Sequence, residues 1–502
     1  MEVLKKSGCS LTLLILIGHL VKAHEHHHST GNSTLGSGIT SEPIDGILWA
    51  HIIFMTLAFG ILFPTGMVLG LSKSRWHVPV QILGTSLATI GYFLGHAHGG
   101  REFEENIHSS FASYVVLLLL AQIGIGMFLK LHLERGPRWL RPMLVKFHKI
   151  FGIVIPVVSY IQIVFGAIVA NGWCRGDHLG QCLAHFIMGS SFIGYGMVLI
   201  IMMRLGVAFL RRKRKSQDYY DSWTIMLWGL VNTFTEHRQV IREGLATLIE
   251  PKFLTHFDRL LQKPWSHKDL QHTALGLMWW AGGTAGVYLS RKGKRTIIPA
   301  LVVIFTGFAM GSHAQSSEFS TKIHAIFGMT LVSAGIVRII EITFLGNRKT
   351  ITPLHHLSPY LLILSGLLFM GSNEEQVAFL EQRDIDPFSY ALVYSTIAFL
   401  VFIYSHLQID LYWLSGDNDG ESKYDIAIGD TMMHSRNIPH IPLPTNDSRG
   451  SSASHDDDRM INEGQVKLLD RNSGNGFQLN ELLVNQLDDD ENEKMNGEAN
   501  GM

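Results

Sequence analysis

Apolar stretches long enough to cross a lipid bilayer recur through most of this 502-residue chain. A membrane-spanning helix needs about 20 predominantly apolar residues, because the hydrocarbon core of a bilayer is about 30 Å thick. Only 17% of the residues are charged, against about 25% in soluble domains, which excludes a simple soluble enzyme. The sequence therefore predicts an all-α integral membrane protein with about eleven transmembrane helices. The predicted spans are residues 46–71, 78–99, 107–131, 148–170, 183–209, 222–235, 269–289, 296–313, 323–345, 354–371 and 388–413.

Charged residues predict the orientation of these helices. Residues 1–23 join Lys5 and Lys6 to a short apolar run that ends in Val-Lys-Ala, which is typical of a signal peptide; an uncleaved anchor is the alternative. Basic loops, such as residues 211–215, alternate with acidic loops, such as residues 102–105. Because basic loops favour the cytosolic side, we expect the N-terminus outside and the C-terminus in the cytosol.

Composition divides the chain further. We predict a signal peptide (1–23), a His-rich lumenal or extracellular segment (24–45), a first membrane bundle (46–210) and a basic cytosolic linker (211–221). A second membrane bundle (222–414) follows, with an amphipathic stretch near residues 236–265 on the outer surface. Residues 415–502 are too polar and acidic to fold alone. The net charge of −1 gives no reason to expect a nucleic-acid partner.

Several residues of the predicted outer side suggest local chemistry. Cys174 and Cys182 share one outside loop, where a disulfide can persist; two unpaired thiols are the alternative. Asn32 begins an Asn-Ser-Thr glycosylation sequon. Clustered imidazoles suit copper, nickel or zinc, and a flexible polar N-terminus is the other interpretation. The candidate metal ligands are His24, His26, His27, His28, His96 and His98, with His313 as an additional candidate.

Four histidines lie near the ends of the first four spans. Because neighbouring spans run antiparallel, His51 and His108 fall at one level, and His77 and His148 fall at the other. Two histidines from facing helices can ligate one haem iron axially, so two such pairs predict two b-type haems. The alternative is that each imidazole is an interfacial or hydrogen-bonded residue without a cofactor.

Short motifs around these histidines resemble the cytochrome b561 proteins. They are AHIIFM at residues 50–55, FPTG at 63–66, WHVPVQILG at 76–84, IH at 107–108 and KFHKIFG at 146–152. The resemblance covers roughly residues 46–210. It implies that His51 and His108 ligate the outer haem, and that His77 and His148 ligate the inner haem.

Some members of that family have ascorbate-dependent or ferric reductase activity. A cytosolic anionic reductant such as ascorbate would then meet four basic residues near the inner pair. Their alternative role is to set topology. These residues are Lys73, Arg75, Lys146 and Lys149.

The whole chain resembles fungal transmembrane proteins of the yeast plasma-membrane type, which join such an N-terminal half to a second membrane half. The resemblance is carried by FTEHR at residues 234–238 and KDLQHT at residues 268–273. That group has no settled activity, so the resemblance implies an architecture without a mechanism.

The second half repeats parts of the first. Residues 307–314 resemble 91–97, and residues 323–327 resemble 107–111, which suggests duplication of one bundle. In this alignment His272 corresponds to His51 and His324 to His108, so these two form a further candidate outer haem pair. His355 or His356 corresponds to His148, but Ile297 stands opposite His77. An inner haem in the second half is therefore not expected.

These observations predict a transmembrane electron carrier that moves electrons from a cytosolic donor to an external acceptor such as ferric or cupric ion. The alternative is a multi-pass transporter or structural membrane protein without haem. The sequence leaves open whether the protein is an enzyme. No hydrolase, kinase or dehydrogenase fingerprint stands in a suitable context. A signal peptide predicts a membrane of the secretory pathway, either the plasma membrane or a vacuolar or other endomembrane.

Overall fold

The computed structural model describes residues 43–131, 137, 139–175, 179–235, 267–312, 315, 317–345 and 351–415. Several predictions lie outside these residues. They are the signal peptide, most of the His-rich segment with its four histidines and Asn32, the stretch 236–265, His313, and the tail from residue 416.

The described residues are helical and contain no strand; an isolated bridge joins Ile44 to Gly100. The first helix, α1, runs over Gly46–Leu71 and contains a π-helical segment, Thr56–Leu62. The other helices of the described residues follow in chain order. They are α2 (His77–Ala97), α3 (Ile107–Lys130), α4 (Leu140–Asn171), α5 (Leu179–Arg204), α6 (Val207–Lys213), α7 (Gln217–Thr235), α8 (His267–Ser290), α9 (Ile298–Gly311), α10 (Glu318–Phe344), α11 (Leu354–Met370), α12 (Glu374–Glu381) and α13 (Pro387–Leu414).

The prediction of a polytopic helical membrane protein is confirmed. Each predicted span coincides with a helix, and seven helices of the described residues are long and apolar enough to cross a membrane. An eighth is added if α11 and α12, which meet at a 78° bend, are counted as one broken span. Helix α9 is apolar but short, and α7 and α8 are less apolar than the seven. The count of eleven spans and the orientation therefore stay predictions.

Local sequence explains where several helices begin and end. The side chains of Asn106, Ser317 and Asp386 accept hydrogen bonds from the first-turn amides of α3, α10 and α13. These caps satisfy donors that have no partner within the helix. Helix α4 ends at Gly172, whose φ of 73° lies in the left-handed region that glycine adopts without steric cost.

The helices pack most closely in neighbouring pairs. Helix α1 packs on α2, and α3 packs on α4. In the second half α7 packs on α8, and α9 packs on α10. Helix α5, which the sequence assigns to the first bundle, packs chiefly against α11.

The main apolar core lies among the later helices. It is built around Trp279, Phe327, Leu331, Leu362 and Phe369, which are all nearly inaccessible to solvent. The most apolar stretch of α10 is 44% buried, whereas that of α3 is only 6% buried. The faces of α3 are thus left for lipid or for another apolar group.

Candidate site formed by two histidine pairs

Four histidines of the first four helices meet in two pairs. The ring centres of His51 and His108 are 6.3 Å apart, with ring planes at 89°. The ring centres of His77 and His148 are 6.2 Å apart, also at 89°. We call these the His51 pair and the His77 pair. Each pair joins the α1–α2 helix pair to the α3–α4 helix pair.

The separation within each pair suits a shared metal ion. An ion bound by both imidazoles at about 2 Å per bond puts the ring centres about 6 Å apart. Rings in direct contact can lie closer, as the tilted rings of His356 and His406 do at 5.0 Å. Both measured separations in the first bundle therefore leave room for one metal ion between the two imidazoles.

The neighbouring helix meets each histidine with a close glycine, and it holds three of the four by a carbonyl group. Nδ1 of His51 lies 2.7 Å from the carbonyl oxygen of Gly91, and a Cβ atom on Gly95 would lie 2.6 Å from the same Nδ1. Similar contacts place His77 on Gly66 and Gly70, and His108 on Gln162 and Gly166. For His148 the close glycine is Gly126. Only glycine allows these rings to approach the helix so closely.

Hydrogen bonding at Nδ1 leaves Nε2 to bind a metal. Nδ1 of His77 lies 2.7 Å from the carbonyl oxygen of Gly66, and Nδ1 of His108 lies 3.1 Å from that of Gln162. A carbonyl on the second ring nitrogen fixes the tautomer and orientation of metal-ligating histidines. His148 differs, because its buried Nδ1 has no hydrogen-bond partner in the described part of the chain. The side chain of Gln122 instead donates to the His148 carbonyl at 3.0 Å.

These contacts expose a spacing pattern that the sequence analysis missed. Helices α2, α3 and α4 each carry three residues in the same order and at the same spacing. The first is the histidine, the second contacts the histidine of the paired helix, and the third is the close glycine, about one helical turn after the second. In α1 the histidine lies one position further from both of these residues. The sets are His51, Gly66 and Gly70; His77, Gly91 and Gly95; His108, Gln122 and Gly126; and His148, Gln162 and Gly166.

The π-helical segment of α1 explains its longer spacing. A π-turn accommodates one more residue than an α-turn, and Thr56–Leu62 lies between His51 and Gly66. The extra residue therefore leaves His51, Gly66 and Gly70 on one face, as the shorter spacing does for His77, Gly91 and Gly95. The midpoint between Gly91 and Gly95 lies 16 residues after His77. At 1.5 Å per residue, the two histidine pairs are therefore about 24 Å apart along the helices.

The repeat-related histidines of the second half are arranged differently. His324, the predicted partner of His272, has its ring centre 5.8 Å from that of His185. His185 was missed by the sequence analysis, since it lies outside both the motif and the repeat. His272 lies within electrostatic range of His185. The glycine pattern does not recur after His324, because Arg338 and Ile342 stand at the equivalent positions.

His356, which the repeat aligns with His148 as one of two alternatives, meets a further histidine, His406. The rings of His356 and His406 lie 5.0 Å apart, and Phe402 packs on both. His355 instead faces Glu341, with its Nε2 3.7 Å from a carboxylate oxygen. The repeat alignment places Ile297 opposite His77 and so predicts no partner for His356. It could not reveal His406, because His406 lies on α13, which is outside the aligned segments.

The candidate metal ligands His96 and His98 do not meet in a cluster within the described residues. Nδ1 of His96 bonds the Tyr92 carbonyl at 2.9 Å, and the His98 ring packs near Phe103. Cys174 and Cys182 are joined in a disulfide. Glu375 accepts a hydrogen bond from the Cys174 amide, but disulfide sulfurs lack the thiolate character that a metal requires.

Comparison with known proteins decides the family. Residues 158–245 and 250–413 match the family described as "Protein YTP1-like, C-terminal", and residues 32–132 match a domain of unknown function, DUF2427. The chain belongs to the YTP1-like family. The predicted fungal group is thereby confirmed, while the b561-like character of the N-terminal half stays a prediction.

Three fungal relatives illustrate this membership. Protein YTP1 of Saccharomyces cerevisiae is 39% identical over 279 residues, which cover 54% of this chain and 56% of the yeast protein. An uncharacterized membrane protein of Schizosaccharomyces pombe is 24% identical over 496 residues, covering 72% of this chain and 93% of the relative. Another from Saccharomyces cerevisiae is 25% identical, covering 45% and 42% respectively. No solved structure matches the chain.

Proposed function

We propose that this multi-pass membrane protein is a transmembrane electron carrier whose first bundle holds two b-type haems. The His51 pair would ligate one haem and the His77 pair the other. The observation that carries the proposal is the matched separation of the two pairs, 6.3 and 6.2 Å, which fits a metal bound between two imidazoles.

The exposed apolar faces of the first bundle are consistent with a group as large as a haem. Each histidine pair bridges two tightly packed helix pairs, and α2 and α3 bury only 17% and 6% of their most apolar stretches. A flat apolar macrocycle would cover such faces, as cofactors do in other helical bundles. A bound haem supplies reversible one-electron chemistry at iron. The chain fixes the axial imidazoles and shields them with apolar helices.

Two ligand levels about 24 Å apart suit transfer of electrons across a bilayer. With the predicted orientation, electrons would enter near the His77 pair and leave near the His51 pair. Ascorbate or another anionic cytosolic reductant is the proposed donor, and in this orientation Lys73 and Lys146 would lie on the donor side. Ferric or cupric ion is the proposed external acceptor. The proposed location is a membrane of the secretory pathway.

The deciding experiment is a reduced-minus-oxidised absorbance spectrum of the full chain, purified after expression with haem supplied. We expect b-type bands and two haems per chain. A correctly folded protein without haem would refute the proposal. His96→Ala is the matched control, because His96 lies on α2 with His77 but is exposed and bonded to its own helix.

A second candidate function is transport without haem, and the names of the relatives support nothing finer than a membrane protein. One observation favours it. Arg338 is buried among three carboxylates, with nitrogen–oxygen distances of 2.8 Å to Asp218, 3.7 Å to Asp221 and 2.5 Å to Glu341. Buried charges in a membrane protein are costly to maintain, and a cluster of them is a candidate for part of a transport pathway. This function predicts metal or proton flux that survives replacement of both His51 and His108 by Ala.

A further inference from the structure

A third histidine pair lies in the core of the later helices. His185 is on α5 and His324 is on α10, each near the start of its helix. Their ring centres are 5.8 Å apart and their planes are perpendicular. Only 7% of His185 and 4% of His324 is exposed. This pair is distinct from the His51 pair and the His77 pair. It also differs from the pair that the repeat predicts, which joins His324 to His272.

Both imidazole rings are held through their Nδ1 atoms. Nδ1 of His185 lies 2.8 Å from the carbonyl oxygen of Gln181, and Nδ1 of His324 lies 2.8 Å from that of Ser320. Both rings are thus fixed by the preceding turn of their own helix, as in metal sites. Nε2 of His185 is buried and has no hydrogen-bond partner among the described residues. A buried polar nitrogen is unfavourable unless something binds it.

The surroundings limit the ligand to a small ion. The Phe369 ring stacks on His185, with centres 4.6 Å apart, and it also contacts His324 at 6.4 Å. Phe327 packs on Phe369 at 4.7 Å, and both phenylalanines are almost wholly buried. Helices α9 and α10 also touch backbone to backbone at Gly307 and Gly328. A macrocycle has no space here, whereas a single ion needs only the gap between two imidazoles.

The donor set favours a low-charge ion that accepts neutral nitrogen ligands. Imidazole suits copper, zinc, iron and nickel. A divalent ion buried with neutral ligands alone would carry two uncompensated charges, which is far costlier than one. Two opposed imidazoles also provide the low coordination number that cuprous copper accepts.

We infer that His185 and His324 bind a single cuprous ion through their Nε2 atoms. The site is independent of the proposed haems, because it uses other residues on other helices.

Copper binding to the full chain tests this inference. The protein, purified with ascorbate present, is loaded with Cu(I), washed with a weak Cu(I) chelator and analysed for copper and haem. We expect His185→Gln and His324→Gln each to bind one copper fewer per chain than the unchanged protein, with the haem content unaltered. His51→Ala should keep the copper while losing haem, so the two proposals fail separately. His96→Gln is the control for weak binding at exposed imidazoles.

X-ray absorption of the unchanged protein provides a test that does not depend on a variant folding. In a sample loaded with one copper per chain, the spectrum should reveal two nitrogen ligands. Copper content equal to that of the unchanged protein in both folded variants would overturn the inference. Sulfur ligands, or displacement of the copper by an equal concentration of Zn²⁺, would overturn it as well.

Discussion

Nδ1 of His51 lies 2.7 Å from the carbonyl oxygen of Gly91, across the interface between α1 and α2. The reverse contact joins His77 of α2 to Gly66 of α1 at the same distance. The two helices therefore exchange equivalent contacts at opposite ends. Helices α3 and α4 exchange a different pair, in which the side-chain amides of Gln162 and Gln122 donate to the carbonyl oxygens of His108 and His148. This reciprocity places four imidazoles at two levels and underlies the predictions on the first bundle.

Replacing either member of a histidine pair should remove the same haem. His51→Ala and His108→Ala should each lose about half of the haem and the same component of a redox titration, because an axial site needs both ligands. His77→Ala and His148→Ala should each lose the other component. Spectra recorded at controlled potentials measure this. Loss of different components by His51→Ala and His108→Ala would contradict the pairing.

The glycines that contact the histidines should be needed for haem binding, whereas other glycines on the same helices should not. A Cβ at Gly126 would lie 3.1 Å from Cε1 of His148, while a Cβ at Gly124 on the same helix meets nothing within 4 Å. We therefore expect Gly126→Leu to displace the His148 ring and to lower haem content, at an overpacking cost of about 1–3 kcal/mol. Gly124→Leu is the matched control and should bind haem normally. Equal spectra for the two variants would count against the proposed role of Gly126.

The buried arginine of α10 should be essential for stability. Arg338→Met removes the cation that Asp218, Asp221 and Glu341 share, although Arg295 stays 3.4 Å from Asp218. Removing one partner of a buried ion pair costs about 3–5 kcal/mol. We expect a lower midpoint of thermal unfolding in detergent. Lys322→Met, on the same helix, removes an exposed ion pair with Glu318 and should leave the midpoint unchanged. Similar midpoints for the two variants would show that Arg338 is dispensable.

The disulfide between Cys174 and Cys182 should stabilise the start of α5. It closes a short loop, since the cysteines are eight residues apart, and loop closure of this kind contributes roughly 2–3 kcal/mol. The double variant Cys174→Ser, Cys182→Ser should unfold at a lower temperature in non-reducing conditions. Reductant should lower the midpoint of the unchanged protein but not that of the variant. A reductant effect of equal size on both would exclude this disulfide as its cause.

The N-terminal cap of α13 should weaken in acid. Hydrogen bonds from the Ser389 side chain and from the amides of Ser389 and Phe388 hold the pKa of Asp386 below its usual value. The carboxylate therefore stabilises the folded state at neutral pH, and this stabilisation is lost as the pH falls through the folded pKa. The protection factor for hydrogen exchange at the first turn should fall below about pH 4. Asp386→Asn, which keeps a capping oxygen, should show a weaker pH dependence, and an identical profile would contradict the assignment.

The sequence by itself determined that the protein is helical and membrane-embedded, and it selected the four histidines of the first bundle. Helix formation depends on local spacing, so each apolar stretch indicated its own helix. The regular spacing from His77 to Gly91 and Gly95 was also present in the sequence, although its meaning required the contacts.

Only the tertiary structure decided which side chains meet. His185 of α5 joins His324 of α10, a helix far away in sequence, and His406 joins His356 from a helix outside the aligned repeat. Arg338 meets Asp218 across 120 residues. Such pairs depend on how helices rotate and pack against one another. That packing is set by the combined shape of many side chains, which the spacing along a single helix does not encode.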